Sequence, residues 1–177
     1  MASADPQIKL PQQPAIVAGL KSCAWLSPDG EIEHIDSETA RDRIGNTVTP
    51  IVCHARSTAR RLYTAPFPAL DILELFAFTY PARFALPTPL GIAEALGQAL
   101  PSSTESAAVS LIASARAMLS DLGDDRRGGE DAIAIATAMV QSGWAWGPAV
   151  LTALGAPEGV RASAANQGLR VWTRLPD

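Results

Sequence analysis

The chain has 177 residues, 47% hydrophobic and 18% charged, a composition of globular proteins with room for one domain-sized core or two small subdomains. Its 18 acidic residues outnumber its 14 basic ones, so the general attraction to phosphate behind non-specific nucleic-acid binding is missing, although a local basic patch is compatible with the totals. No apolar run approaches the roughly 20 residues of a membrane-spanning helix, and the opening MASADPQIKLPQQPA lacks the basic-then-apolar order of a secretory signal, so a cytoplasmic protein with no membrane partner is expected.

Residues 1–13 hold three glutamines and two prolines with little periodicity, and are expected to be a mobile leader. In AIVAGLKSCAWLSPDGEIEHI, residues 15–35, two apolar stretches flank the turn triplet Pro28-Asp29-Gly30, a strand-turn-strand signal. Asp36 or Ser37 then caps a short polar helix to about Ile44. A β-branched stretch from Thr47 to Cys53 follows, with pairing expected to begin after Pro50.

His54 to Leu62 has the composition of a helix, ended by Pro66 and Pro68. Asp71 is placed to cap a helix, Ile72 to Phe78, that is apolar on nearly every side and is therefore expected to be sandwiched in the interior. Three prolines stiffen residues 81–89 into a connector, and Gly91 to Leu96 forms another short helix. Ser102 with Glu105 makes a capping box, after which Ala108, Leu111, Ile112, Ala115, Met118, Leu119 and Leu122 recur at helical spacing. Gly123 to Gly129 is a loop by composition and marks a boundary. Beyond it a helix is expected over 130–142, another from Pro148 to Leu154, and a strand over 168–175.

Several chemistries lack their residues. There is no G-x-x-x-x-G-K-[ST] and no G-x-G-x-x-G after a strand, and Lys9 and Lys21 are the only lysines. Cys23 and Cys53, each within an apolar stretch and in no C-x-x-C pair, are expected to be buried thiols rather than zinc ligands. Ser57 and Thr58 lie near His54, one of two histidines with His34, but hydroxyls there are expected to cap the helix rather than act as nucleophiles. Asp71 and Glu74, three apart, are spaced to share a metal, yet an N-cap with a Glu reaching back is the better reading. Arg56, Arg60 and Arg61 form a basic edge that could meet a phosphate backbone, with a solvated helix face the better reading. Of Trp144 and Trp146, one is expected in the core and the other exposed. No catalytic, cofactor-binding or metal-binding residue is therefore assigned, and no cofactor is expected in this segment.

The strand ending in Cys53-His54, the helix with Ser57 and Arg61-Leu62, then Leu70-Asp71-Ile72-Leu73-Glu74-Leu75 and Gly91-Ile92-Ala93-Glu94-Ala95-Leu96-Gly97 together resemble the DnaQ-like 3′-5′ exonucleases. The resemblance implies two divalent metals held by four carboxylates. The first strand would supply Asp-x-Glu where Cys23-Ala24-Trp25 or its neighbours stand, the second motif an Asp at Ala59 and an Asn at Ala55, and the third a His and an Asp at Ser106 and Leu111. On this resemblance the site is dismantled, and His54 and Asp71 match positions that shape the fold.

More specifically, Asp71-Ile-Leu-Glu-Leu-Phe-Ala-Phe, Pro81-Ala-Arg-Phe-Ala-Leu-Pro-Thr-Pro-Leu-Gly91 and Gly143-Trp-Ala-Trp-Gly-Pro resemble the N-terminal region of alphaproteobacterial DinG-type ATP-dependent DNA helicases. That likeness implies an accessory domain whose partner is a helicase motor in the same chain and which meets DNA mainly through the parent, weakly alone. The expected architecture is α/β: a degenerate ribonuclease-H-like small mixed sheet with helices over 14–122, and a mainly helical extension over 123–177. The rivals are an active metal-dependent nuclease using Asp71, Glu74 and other carboxylates in an unfamiliar arrangement, and a free-standing protein-interaction module.

Overall fold

In the computed structural model, residues 10–45, 48–124 and 129–167 are described. The chain divides within one long helix into two units, Gln12–Ala115 and the residues from Arg116 on. Most of the leader and the strand expected over 168–175 lie outside the described residues.

The first unit is α/β. Strand β1 (Ala15–Ala18) pairs antiparallel with β2 (Cys23–Leu26), which pairs antiparallel with β3 (Ile32–Ile35). On the other side of β1 lie β4 (Ile51–Val52) and β5 (Leu70–Asp71), both parallel to it, giving the order β3-β2-β1-β4-β5. The first apolar stretch is thus two strands rather than one, because the chain reverses at Gly19, whose N–H donates to the Ser22 carbonyl at 3.0 Å. The Pro28-Asp29-Gly30 triplet turns β2 into β3, with the Gly30 N–H donating to the Ser27 carbonyl.

Alternation along the strands sends Ile16, Ala18, Cys23 and Trp25 to one face. There they join Ile35, Val52, Leu62 and two side chains of helix α1 (Ser37–Gly45), Ala40 and Ile44, in one cluster. Ala15, Ala24, Leu26 and Ile51, on the opposite face, are buried as well, so the central strands are covered on both sides. Asp36 caps α1 by accepting the Thr39 N–H at 2.7 Å. Among the described residues of the β-branched stretch, only Ile51–Val52 pairs, starting directly after Pro50.

Helix α2 (Ala55–Arg61) follows β4, and α3 (Ile72–Thr79) follows β5 without a loop. Ile72, Leu75 and Phe76 of α3 are buried, but Glu74 and Ala77 are exposed. The expectation of an interior helix is corrected: one side meets water, and Glu74 and the small Ala77 are the residues that tolerate it. Helix α4 (Pro89–Ala95) starts two residues before Gly91, with Pro89 in its first turn and the Thr88 hydroxyl accepting the Gly91 N–H. In α5 (Thr104–Asp124), Ala108, Leu111, Ala115, Met118 and Leu119 are buried as the spacing requires, while Ile112 and Leu122 are half-buried. Its cap is shifted one residue: the Ser103 hydroxyl accepts the Ser106 N–H, and the Ser106 hydroxyl accepts the Ser103 N–H in return.

The second unit, beyond α5, contains α6 (Gly129–Gln141), α7 (Gly147–Ala153) and α8 (Glu158–Gln167). Trp146 is fully buried, with Ala136, Val140, Val150 and Leu151, and Trp144 is half-buried, so neither tryptophan of the pair is exposed. Gly147 brings two helices close: a Cβ there would stand 1.9 Å from the Val140 Cγ2. Among the described residues, no helix is long and apolar enough to cross a membrane.

Candidate functional site

Because β1, β4 and β5 are parallel, their carboxyl ends share one edge of the sheet, where ligand sites of open α/β sheets collect. Ala18, Val52 and Asp71 end these strands, and α2 and α3 start there. Cys23-Ala24-Trp25 lies on β2; the first strand is Ala15–Ala18, and neither it nor the Gly19-Leu20 that follows holds a carboxylate.

Asp71 is 4% exposed and takes up its oxygens with backbone donors. Its Oδ2 accepts the Ala55 N–H at 2.7 Å, and its Oδ1 accepts the Leu73 N–H at 2.9 Å and that of Glu74 at 3.4 Å. One carboxylate therefore caps two helices, which locks α2 to α3. Burial pushes its carboxyl above the usual range, opposed by those N–H groups and by the neighbouring His54. Cys53, 7% exposed, is pushed up to about 12 by burial and then by the Asp71 charge. Burial also raises the Cys23 thiol. Both thiols are free and buried, a setting that keeps sulfur protonated and unreactive.

His54 is the N-cap of α2 and holds an extended backbone conformation there. Its Nδ1 lies 2.9 Å from the Ser57 Oγ, and its carbonyl accepts both the N–H and the hydroxyl of Thr58 at 3.0 Å. Ser57 and His54 thus meet within one helical turn, the local arrangement of a helix start. Asp71 Oδ2 bonds to the Ala55 N–H, and among the described residues the hydrogen bond of the His54 ring is the one to Ser57, with no carboxylate bonded to the imidazole to orient it as a base.

At the other positions, Ala59 and Leu111 are buried at 4% and 0% exposure, and Ser106 serves the cap of α5. This donor set does not fit a pair of divalent metals, which take several carboxylate oxygens. Among the described residues, no three His, Cys, Asp or Glu side chains are grouped to hold a metal ion.

Three features have no counterpart in the sequence reading. The Arg61 guanidinium donates to the Ala18 carbonyl at 2.7 Å, tying α2 to the end of β1 across 43 residues. His34 on β3 places its Nε2 2.7 Å from the Glu105 Oε1 at the start of α5. The Glu105 carboxyl lies below its ordinary value, first through the Ser103 hydroxyl and also through His34. Tyr63, just past the end of α2, has φ of 54° and is 86% exposed. A left-handed backbone at a bulky residue costs about 1–3 kcal/mol; the missing glycine at this helix end was the signal in the sequence. Scans against protein-family models, curated proteins and solved structures find no match to the chain.

Proposed function

We propose that this chain is a non-catalytic accessory domain with a degenerate ribonuclease-H-like fold, docking within a larger cytoplasmic ATP-dependent DNA helicase of the DinG type. The observation that carries the reading is the carboxyl edge of the sheet. Where metal-dependent chemistry would need carboxylates, the chain has Ala18, Ala59 and Leu111, and the acid that is there, Asp71, accepts hydrogen bonds from three backbone N–H groups. A three-stranded antiparallel meander continued by two parallel strands, each entered by a helical crossover, is compatible with such a fold. Its role is then to present surface to the motor, and DNA is met chiefly through the parent, since net charge is −4.

Two measurements test this. Incubated with magnesium or manganese and labelled DNA or RNA, the chain should release no product above a metal-free blank; metal-dependent release abolished by Asp71→Asn would replace the reading with that of a nuclease. Sequencing the coding DNA past the codon for Asp177 should meet a phosphate-binding loop and helicase motifs, and an immediate stop codon would rule out the helicase parent.

A further inference from the structure

Residues 43–70 hold four arginines and not one Asp or Glu, in a chain whose acidic residues are otherwise in excess. The first unit has six arginines, and four of them are held by the protein itself. Arg41 donates to the Leu62 carbonyl, Arg43 pairs with Glu33, Arg61 reaches Ala18, and Arg83 reaches the Ala95 carbonyl. Arg56 and Arg60 are the exceptions: both are exposed on α2, and among the described residues no side chain or carbonyl pairs with either. They stand four residues apart, one turn along the same helix face. Three residues further on comes Tyr63, exposed and in the left-handed conformation.

We propose that this face of α2, Arg56 and Arg60 with Tyr63 beside them, is the docking surface for an acidic segment of a partner protein; the proposal rests on the reading of the chain as a docking domain. Each guanidinium presents a planar fork of donors that a carboxylate meets with two parallel hydrogen bonds, so two acidic side chains one helical turn apart match the pair. Arg and Tyr are the residue types that anchor protein interfaces, a rigid ring adding contact area at small entropic cost. Charge selects the class of partner: the acid-free stretch attracts carboxylates, whereas two open guanidiniums on a net-negative protein are too few to hold a phosphate backbone.

The test is an amide NMR titration of the full chain with a peptide of alternating glutamate and leucine, with its glutamine counterpart and an oligothymidylate in parallel. The glutamate peptide should shift resonances over residues 55–64. Affinity should fall about tenfold in Arg56→Glu/Arg60→Glu and severalfold in Tyr63→Ala. Arg116→Glu, on α5, should bind as the parent does. Tyr63→Gly relieves the backbone, so a more stable yet weaker-binding variant would show that the ring serves the surface. Unchanged binding in the double reversal, or no shifts with the glutamate peptide, would overturn the proposal. So would tighter binding of the oligothymidylate lost in the same reversal, which would assign the face to single-stranded nucleic acid. None of these outcomes bears on the helicase reading, which the coding sequence tests separately.

Discussion

The carboxylate of Asp71, at the end of β5, accepts the backbone N–H of Ala55, sixteen residues earlier, at 2.7 Å while also capping its own helix. Asp71→Asn should keep one acceptor and turn an amide NH2 toward one of the backbone donors. Asp71→Ala removes every acceptor and leaves part-buried N–H groups without that partner, at about 1–3 kcal/mol for such a loss. Urea denaturation should rank the proteins wild type, Asn, Ala in falling stability. An Ala variant as stable as wild type would show that the double cap does not hold the two helices.

Both thiols should resist chemistry in the folded state. Cys53 is pushed up to about 12 by burial and the Asp71 charge, and Cys23 is raised by burial, so almost no thiolate exists near neutral pH. Ellman's reagent added to the native protein should report close to zero fast-reacting groups, and both thiols once denaturant is present. Rapid reaction of either in the native protein would contradict the burial described.

Acid should weaken the fold through Asp36 and Glu33. The Thr39 backbone N–H holds the Asp36 carboxyl below its ordinary value, and the Arg43 hydrogen bond does the same for Glu33. Folded values below the unfolded ones mean that this stabilisation is complete above the ordinary values of 3.8 and 4.5 and is lost as pH falls through the folded values. Asp71, raised by burial, works in the opposite sense, its share being largest in acid and falling as pH rises through its folded value. Asp36→Asn/Glu33→Gln leaves Asp71 unchanged, so the stability gap to wild type should be widest near neutrality and close in acid. A gap independent of pH would show that neither carboxylate contributes through its charge.

Gly147 should tolerate no side chain. An added Cβ would overlap the Val140 Cγ2 at 1.9 Å, and overpacking of this kind costs about 1–3 kcal/mol. Thermal unfolding should show Gly147→Ala destabilised, and Val140→Ala introduced with it should recover part of that loss, although Val140→Ala alone is also destabilising. A double variant no better than the sum of the two singles would place the clash elsewhere.

Features governed by neighbouring residues were legible in the sequence. The Pro28-Asp29-Gly30 turn closes with a backbone bond between Gly30 and Ser27, the caps Asp36 and Asp71 rest on side chains that bond to backbone within three residues, and the buried positions of α5 rest on a repeat of helical period. The β1–β2 hairpin escaped notice because Gly19-Leu20-Lys21-Ser22 has no Pro, Asn or Asp, and Leu20, apolar in type, is fully exposed. Ser102 and Ser103 are chemically alike, so which of them caps α5 was decided by the fold. Relations across long separations, Arg61 with Ala18, His34 with Glu105 and Asp71 with Ala55, depend on which strands become neighbours, and no local pattern announces that.

The two outer strands of the sheet bear on how the protein behaves when crowded. β3 turns Glu33 and His34 outward, tied to Arg43 and Glu105, and β5 is only two residues long before the chain turns into α3. Neither offers the long, flat, uncharged backbone that another chain needs to add itself as a further strand. Concentrated solutions should therefore resist cross-β assembly for as long as the sheet stays folded, and any fibre growth would have to begin from chains that have lost these margins.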